Sequence, residues 1–159
     1  MTAVRQRAVG SKIAAKRQAL RTTALAALVM LLIEYALGAW TNLYENLPAS
    51  DHGKATFAAF GGAVAHGPAV LSIHALLGTL LIVTAVYVVI RAALIGQVAS
   101  FVLGCIALLA ILGAWFSGSK FVSDQANGSS FGMAVAAGVA MLAYVIILFI
   151  VTPAAKTRA

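Results

Sequence analysis

Two ionisable residues, Glu34 and His74, stand inside otherwise apolar runs of this sequence. A carboxylate and an imidazole can pair, pass a proton, or hold a polar ligand. A charged side chain deep in a lipid span costs at least about 2.5–3.5 kcal/mol, so such groups face a protein interior or a partner. Glu34 lies ten residues before Tyr44, roughly 15 Å below that helix end at the α-helical rise. His74 lies six residues after Pro68, roughly 9 Å below the same surface. The two runs are joined directly, so a Glu34–His74 intramembrane polar pair is expected, with Thr41 and Ser72 as further partners. Such a pair serves as a structural clamp, as a proton site, or as the contact for a lipid or another subunit.

The other histidines suggest metals. An imidazole is a common axial ligand of b-type heme, which makes His74 a candidate heme b ligand. His66 and His74 are eight residues apart, about 12 Å along one helix and about 80° around it. They therefore cannot clamp one iron, and a second axial ligand would come from outside the chain or from a symmetric dimer. His52 and His66, with Glu45 and Asp51, form a candidate zinc or copper site on the outer surface, although their spacing matches no compact motif. The single Cys105 excludes a disulfide scaffold and a multi-thiolate site. No G-x-S-x-G, P-loop, H-E-x-x-H, C-x-x-C or dinucleotide fingerprint occurs, so an enzyme acting alone is not expected.

The elements that carry these residues follow from composition. The 159 residues are 62% hydrophobic and 9% charged, against roughly 45–50% and about 25% in soluble domains. A soluble core-and-shell fold and a disordered chain are both excluded. Four runs, 22–44, 68–90, 94–116 and 130–151, reach the ~20 residues needed to cross the hydrocarbon as a helix. Nine of the eleven Lys and Arg fall on one side of these spans, leaving Lys54 and Lys120 on the other. The positive-inside rule puts both termini in the cytoplasm. The net charge of +7 is thus a topology signal with a contact to anionic lipid, and nucleic acid is not an expected partner. The basic stretch before the first span is expected either to lie in the interface or to prolong that span.

The connections differ in character. Arg91 is expected in a short inner connection, and the polar Ser117–Ser129 stretch in a surface loop. The first outer connection turns apolar from Ala55 to Val64. It is expected to form a short helix closed by Gly61-Gly62, packed on the membrane surface or on a partner.

Leu37-Gly38-Ala39-Trp40 recurs as Leu112-Gly113-Ala114-Trp115, and Tyr87-Val88-Val89-Ile90 is matched by Tyr144-Val145-Ile146-Ile147. The pattern predicts two similar helical hairpins. Shifted by these offsets, Glu34 and His74 fall on Leu109 and Phe131, so polar chemistry is confined to the first hairpin. Small residues at intervals of four (Gly96, Ser100, Gly104; Gly132, Ala136, Ala140) are expected to let helices approach closely, inside the bundle or against an outside helix. Trp40, Tyr44, Trp115 and Phe116 fit an interfacial aromatic belt.

Glu34-Tyr35, Leu37-Gly38, Asn42-Leu43-Tyr44, His74-Ala75-Leu76-Leu77-Gly78 and Ser130-Phe131-Gly132-Met133-Ala134 together resemble a group of small four-helix bacterial membrane proteins without an assigned activity. The resemblance covers nearly the whole span region and implies the fold. His74-x-x-x-Gly78 also resembles one half of heme A synthase, without that family's matching second histidine.

The sequence thus reads as an all-α integral membrane protein, a bundle of four transmembrane helices built from two hairpins. A basic cytoplasmic segment 1–21 precedes the membrane domain 22–151, and a cytoplasmic tail 152–159 follows it. The expected role is a non-catalytic accessory or structural subunit of a larger inner-membrane complex, with other integral membrane subunits and lipids as partners. Two alternatives stand beside it: a heme- or quinone-associated redox protein using His74, and a small proton-coupled carrier around Glu34.

Overall fold

The computed structural model of the chain describes residues 2–151, with side chains from residue 10 onward. The expected tail 152–159 lies outside the described residues. Five α-helices are present among the described residues: α1 Thr2–Tyr44, α2 Thr56–His66, α3 Ala69–Ile95, α4 Val98–Asp124 and α5 Asn127–Ile150. A single 3-10 turn, Ala49–Asp51, precedes α2. No strand occurs among the described residues. The four long helices are each long and apolar enough to cross a membrane, the architecture of a multi-pass membrane protein. A helix is the form in which a lipid-embedded segment satisfies its own backbone.

The long helices close into a ring, in which α1 and α4 each pack against both α3 and α5. Their seams repeat a spacing of four and three. Leu20, Ala24, Ala27 and Leu31 are buried on α1, and Leu81, Ala85, Val88 and Ala92 on α3. On α4 the same spacing buries Ser100, Gly104, Ala107 and Ile111. That period is the one at which helices wind around each other with side chains interlocked. The seam residues are mostly small because lipid tails give no hydrophobic drive to helix association, and close backbone packing must supply it. A Cβ on Gly104 would lie 3.4 Å from Val89, so this stripe serves the bundle itself. Large apolar side chains point outward instead, among them Leu109 and Phe149.

Helix ends depart from the expected spans. α3 runs on through Arg91 to Ile95, and α4 runs through the expected polar loop to Asp124, leaving two residues before α5. Beyond the lipid, polar residues continue a helix that is already nucleated. What stops these helices is left-handed backbone: Gly96 (φ 70°) after α3 and Gln125 (φ 52°) after α4. Each donates its N–H back into the preceding turn, to Ala93 O at 3.1 Å and Phe121 O at 2.8 Å. Arg91 is accommodated within α3 by lying over the Tyr87 ring, 4.4 Å from its centroid.

α1, at 43 residues, is about 65 Å long and prolongs the first span well past the bilayer core. Two of its basic residues, Lys16 and Arg21, bind the ends of other helices. Lys16 Nζ donates to Leu94 O at 3.4 Å on α3. Arg21 donates to the Leu148 carbonyl at 2.8 Å and to that of Val151, where α5 has run out of N–H partners. Removing this cap with Arg21→Ala is expected to cost about 2 kcal/mol, because charged donors to buried carbonyls are the stronger class and the helix dipole adds to them. Thermal unfolding in detergent reads the loss. An unchanged midpoint would show the contact to be incidental.

At the opposite end, α2 lies across α3 and α4. Ala59 and Ala63 are buried against Leu71 and Val122. The helix therefore packs on its own bundle, while Phe57 on it stays 71% exposed. It also runs through Gly61-Gly62 instead of closing there. The break comes at Gly67-Pro68, where both residues are extended, so His66 and His74 sit on different helices. Ser72 Oγ reaches back to Ala63 O at 3.0 Å and fixes this corner.

Candidate functional site

Glu34 on α1 and His74 on α3 face each other across the seam of those two helices. His74 Nδ1 lies 3.0 Å from Glu34 Oε1, and both side chains are mostly buried (16% and 14% exposed). The distance is that of an ion pair, yet the ring N–H is not aligned for a hydrogen bond. Glu34 Oε2 and Thr41 Oγ1 are buried and make no hydrogen bond. Ser72, expected beside the pair, is instead committed to the α2–α3 corner.

Two glycines make the close approach possible. A Cβ on Gly38, one turn beyond Glu34, would lie 3.0 Å from His74 Cε1 and 3.4 Å from Nε2. A Cβ on Gly78, one turn beyond His74, would lie 2.9 Å from Glu34 Oε1. Each ionisable side chain thus rests on the bare backbone of the opposite helix. The sequence carries this signal as Glu34-x-x-x-Gly38 and His74-x-x-x-Gly78, two i, i+4 pairs that antiparallel helices bring into register. The second LGAW copy differs, since Gly113 has open space around it. Leu109 and Phe131, the counterparts of Glu34 and His74, are 69% and 72% exposed. Tyr87 is exposed while Tyr144 is fully buried, its hydroxyl without a partner. The repeated letters therefore occupy different environments.

The pair lines a partly open cavity of about 230 Å³ between α1, α3, α4 and α5. Its floor is apolar: Leu31, Leu81 and Ile111. Phe60 and Ala63 of α2 lie in its wall at the other end. α2 is held there by aromatic contacts, with Phe60 and Phe57 at 4.9 and 5.7 Å from Trp115. Trp115 lines the cavity and donates from Nε1 to Thr79 Oγ1 at 3.3 Å. Its place is accordingly in the site wall as well as near the belt, which spacing did not reveal. Beside this cavity lies a second, polar one of about 310 Å³, lined by Asn42, Glu45, Asn46, Gln125 and Asn127. Thr41, Asn42 and Phe121 belong to both.

The loop histidines are not drawn into this site. His66 ends α2, and His52 follows the 3-10 turn. Asp51 of that loop is bound to Lys54 Nζ at 2.7 Å. Among the described residues, no three His, Cys, Asp or Glu side chains gather as a metal centre requires. No protein-family model, curated protein or solved structure matches this chain.

Proposed function

We propose that this chain is a non-catalytic binding protein of the inner membrane, with both termini cytoplasmic and its four spans arranged as two hairpins. Its ligand is a small, ring-bearing molecule with a hydrogen-bonding oxygen, the class of a quinone or quinol head group. The observation that carries this reading is the pairing of buried, unpartnered polar atoms with an apolar cavity. Leaving such atoms unsatisfied costs about 1–3 kcal/mol each, so a site with Glu34 Oε2 and Thr41 Oγ1 in its wall favours a ligand or water that answers them.

Size narrows the class. An apolar cavity of roughly 150 Å³ takes benzene, and pockets for drug-sized ligands span roughly 300–1,000 Å³. At about 230 Å³ the cavity suits one substituted ring. Heme is the poorer fit: the macrocycle exceeds the space, and the His74 edge carrying Nε2 lies against α1 at Gly38. In a Trp40→Phe background, where Trp115 is the remaining tryptophan, titration with tail-less benzoquinones should quench fluorescence saturably. Glu34→Gln and His74→Leu should each weaken that binding about tenfold, the equivalent of about 1.4 kcal/mol. Quenching that never saturates overturns the reading.

An accessory subunit of a larger assembly is the second reading. It is favoured by Phe57, an aromatic side chain 71% exposed on the surface helix α2. Companion chains retained through mild-detergent purification support it.

A further inference from the structure

We infer that the Glu34–His74 cavity is a dead-end pocket, reached by water and small polar solutes from the α2 end of the bundle and closed toward the chain termini. This deepens the binding reading, on which it rests for the identity of the ligand.

Three observations converge. First, the apolar cavity and its polar neighbour share Thr41, Asn42 and Phe121, so the two volumes adjoin at that level. Second, Thr41, only 4% exposed, has its hydroxyl unpartnered at this junction, and Glu34 Oε2 is unpartnered further in. A polar cavity holds water where it offers two to four partners, and about 230 Å³ accommodates several waters at roughly 30 Å³ each. The polar side chains Asn42, Glu45 and Gln125 then form a wet mouth to a pocket with a largely apolar lining.

Third, the other direction is sealed. Leu31, Leu81 and Ile111 are at most 3% exposed. Beyond them Ala27, Ala85 and Ala107 are fully buried in seams where backbones touch closely. A carrier needs access from both sides, whereas a solute entering here leaves by the way it came. The geometry thus suits holding a ligand rather than passing one through.

Cysteine accessibility in native membranes tests this. In a Cys105→Ala background, Ala126→Cys and Ala99→Cys mark the two ends, both positions being exposed. Ser119→Cys reports the upper cavity, Ala137→Cys its depth, and Ala107→Cys the core below the floor. A cationic, membrane-impermeant methanethiosulfonate should label Ser119→Cys and Ala137→Cys from the side that labels Ala126→Cys, and should not label Ala107→Cys. Labelling of Ala137→Cys only from the Ala99 side, only by a membrane-permeant reagent, or by neither, overturns the inference. A pocket that labels as expected but binds no quinone keeps the access route and loses the ligand assignment. Quinone binding without labelling does the reverse.

Discussion

His74→Leu is expected to destabilise the protein by about 2–4 kcal/mol, and adding Glu34→Leu is expected to restore most of that loss. The single change leaves a mostly buried carboxyl group in an apolar wall without its partner. Breaking a buried pair in this way costs roughly 3–5 kcal/mol in soluble proteins. Glu34 is 14% exposed, toward the cavity, and water there lessens the penalty. The double replacement removes both polar groups together, and apolar substitutes for a buried pair are often neutral or better. Lipid sharpens the contrast, because a lone charge at depth carries its own cost of about 2.5–3.5 kcal/mol. Unfolding of all four members of the cycle in detergent gives the coupling, expected within the roughly 0.5–3 kcal/mol typical of contacting residues. Additive losses would mean that the 3.0 Å contact contributes nothing specific. Ligand binding should behave oppositely, since the double variant regains stability yet has lost the polar pair from the wall.

The pair is legible in the sequence because its signal is local: a carboxylate and an imidazole interrupt runs that are otherwise apolar. The four spans are legible for the same reason. Their ends are not, because lipid thickness sets how long an apolar run must be but not where a helix stops. Asp124 and Asn127 show the point: α4 and α5 approach within two residues of each other through a stretch whose composition reads as loop. The stop is made by Gln125 in the left-handed region, a conformation that side-chain type alone does not announce at glutamine. The cavity is invisible in a sequence on principle, since it is the space left between four helices. Its volume depends on how each helix is rotated. Rotation also explains why the LGAW repeat is a poor guide to environment: Gly38 is pressed against His74 while Gly113 faces open space. Small-residue spacing is ambiguous in the same way. Gly38 and Gly78 seat the ionisable pair, whereas Gly96, which falls in a stripe of small residues at intervals of four, proves to be a helix stop.

Gly62→Ala is expected to cost about 2–3 kcal/mol, the upper range for forcing a methyl group into a filled site. The new Cβ would lie 2.2 Å from Asp51 Oδ1 and 2.5 Å from Oδ2. The carboxylate cannot swing aside freely. Asp51 is 1% exposed and held by Lys54 Nζ at 2.7 Å. Its loop is tied to α4 by Gly53 N–H donating to Ser123 O at 3.0 Å and by Ser123 Oγ donating to Lys54 O at 2.7 Å. Relief therefore requires breaking the ion pair, lifting the loop from α4, or tilting α2 off the bundle. The last of these uncovers the cavity, because Phe60 and Ala63 of α2 form part of its wall. Faster labelling of Ala137→Cys should accompany the lost stability. Asp51→Ala in the same chain vacates the space and should recover part of the folding loss, a non-additivity that a general weakening of α2 would not produce. Gly61→Ala supplies the contrast: nothing lies within 4 Å of its Cβ, and alanine is favoured over glycine in a helix by about 1 kcal/mol. Adjacent glycines on one helix should thus respond with opposite signs, and equal responses would locate the effect in the helix backbone instead of in the Asp51 contact.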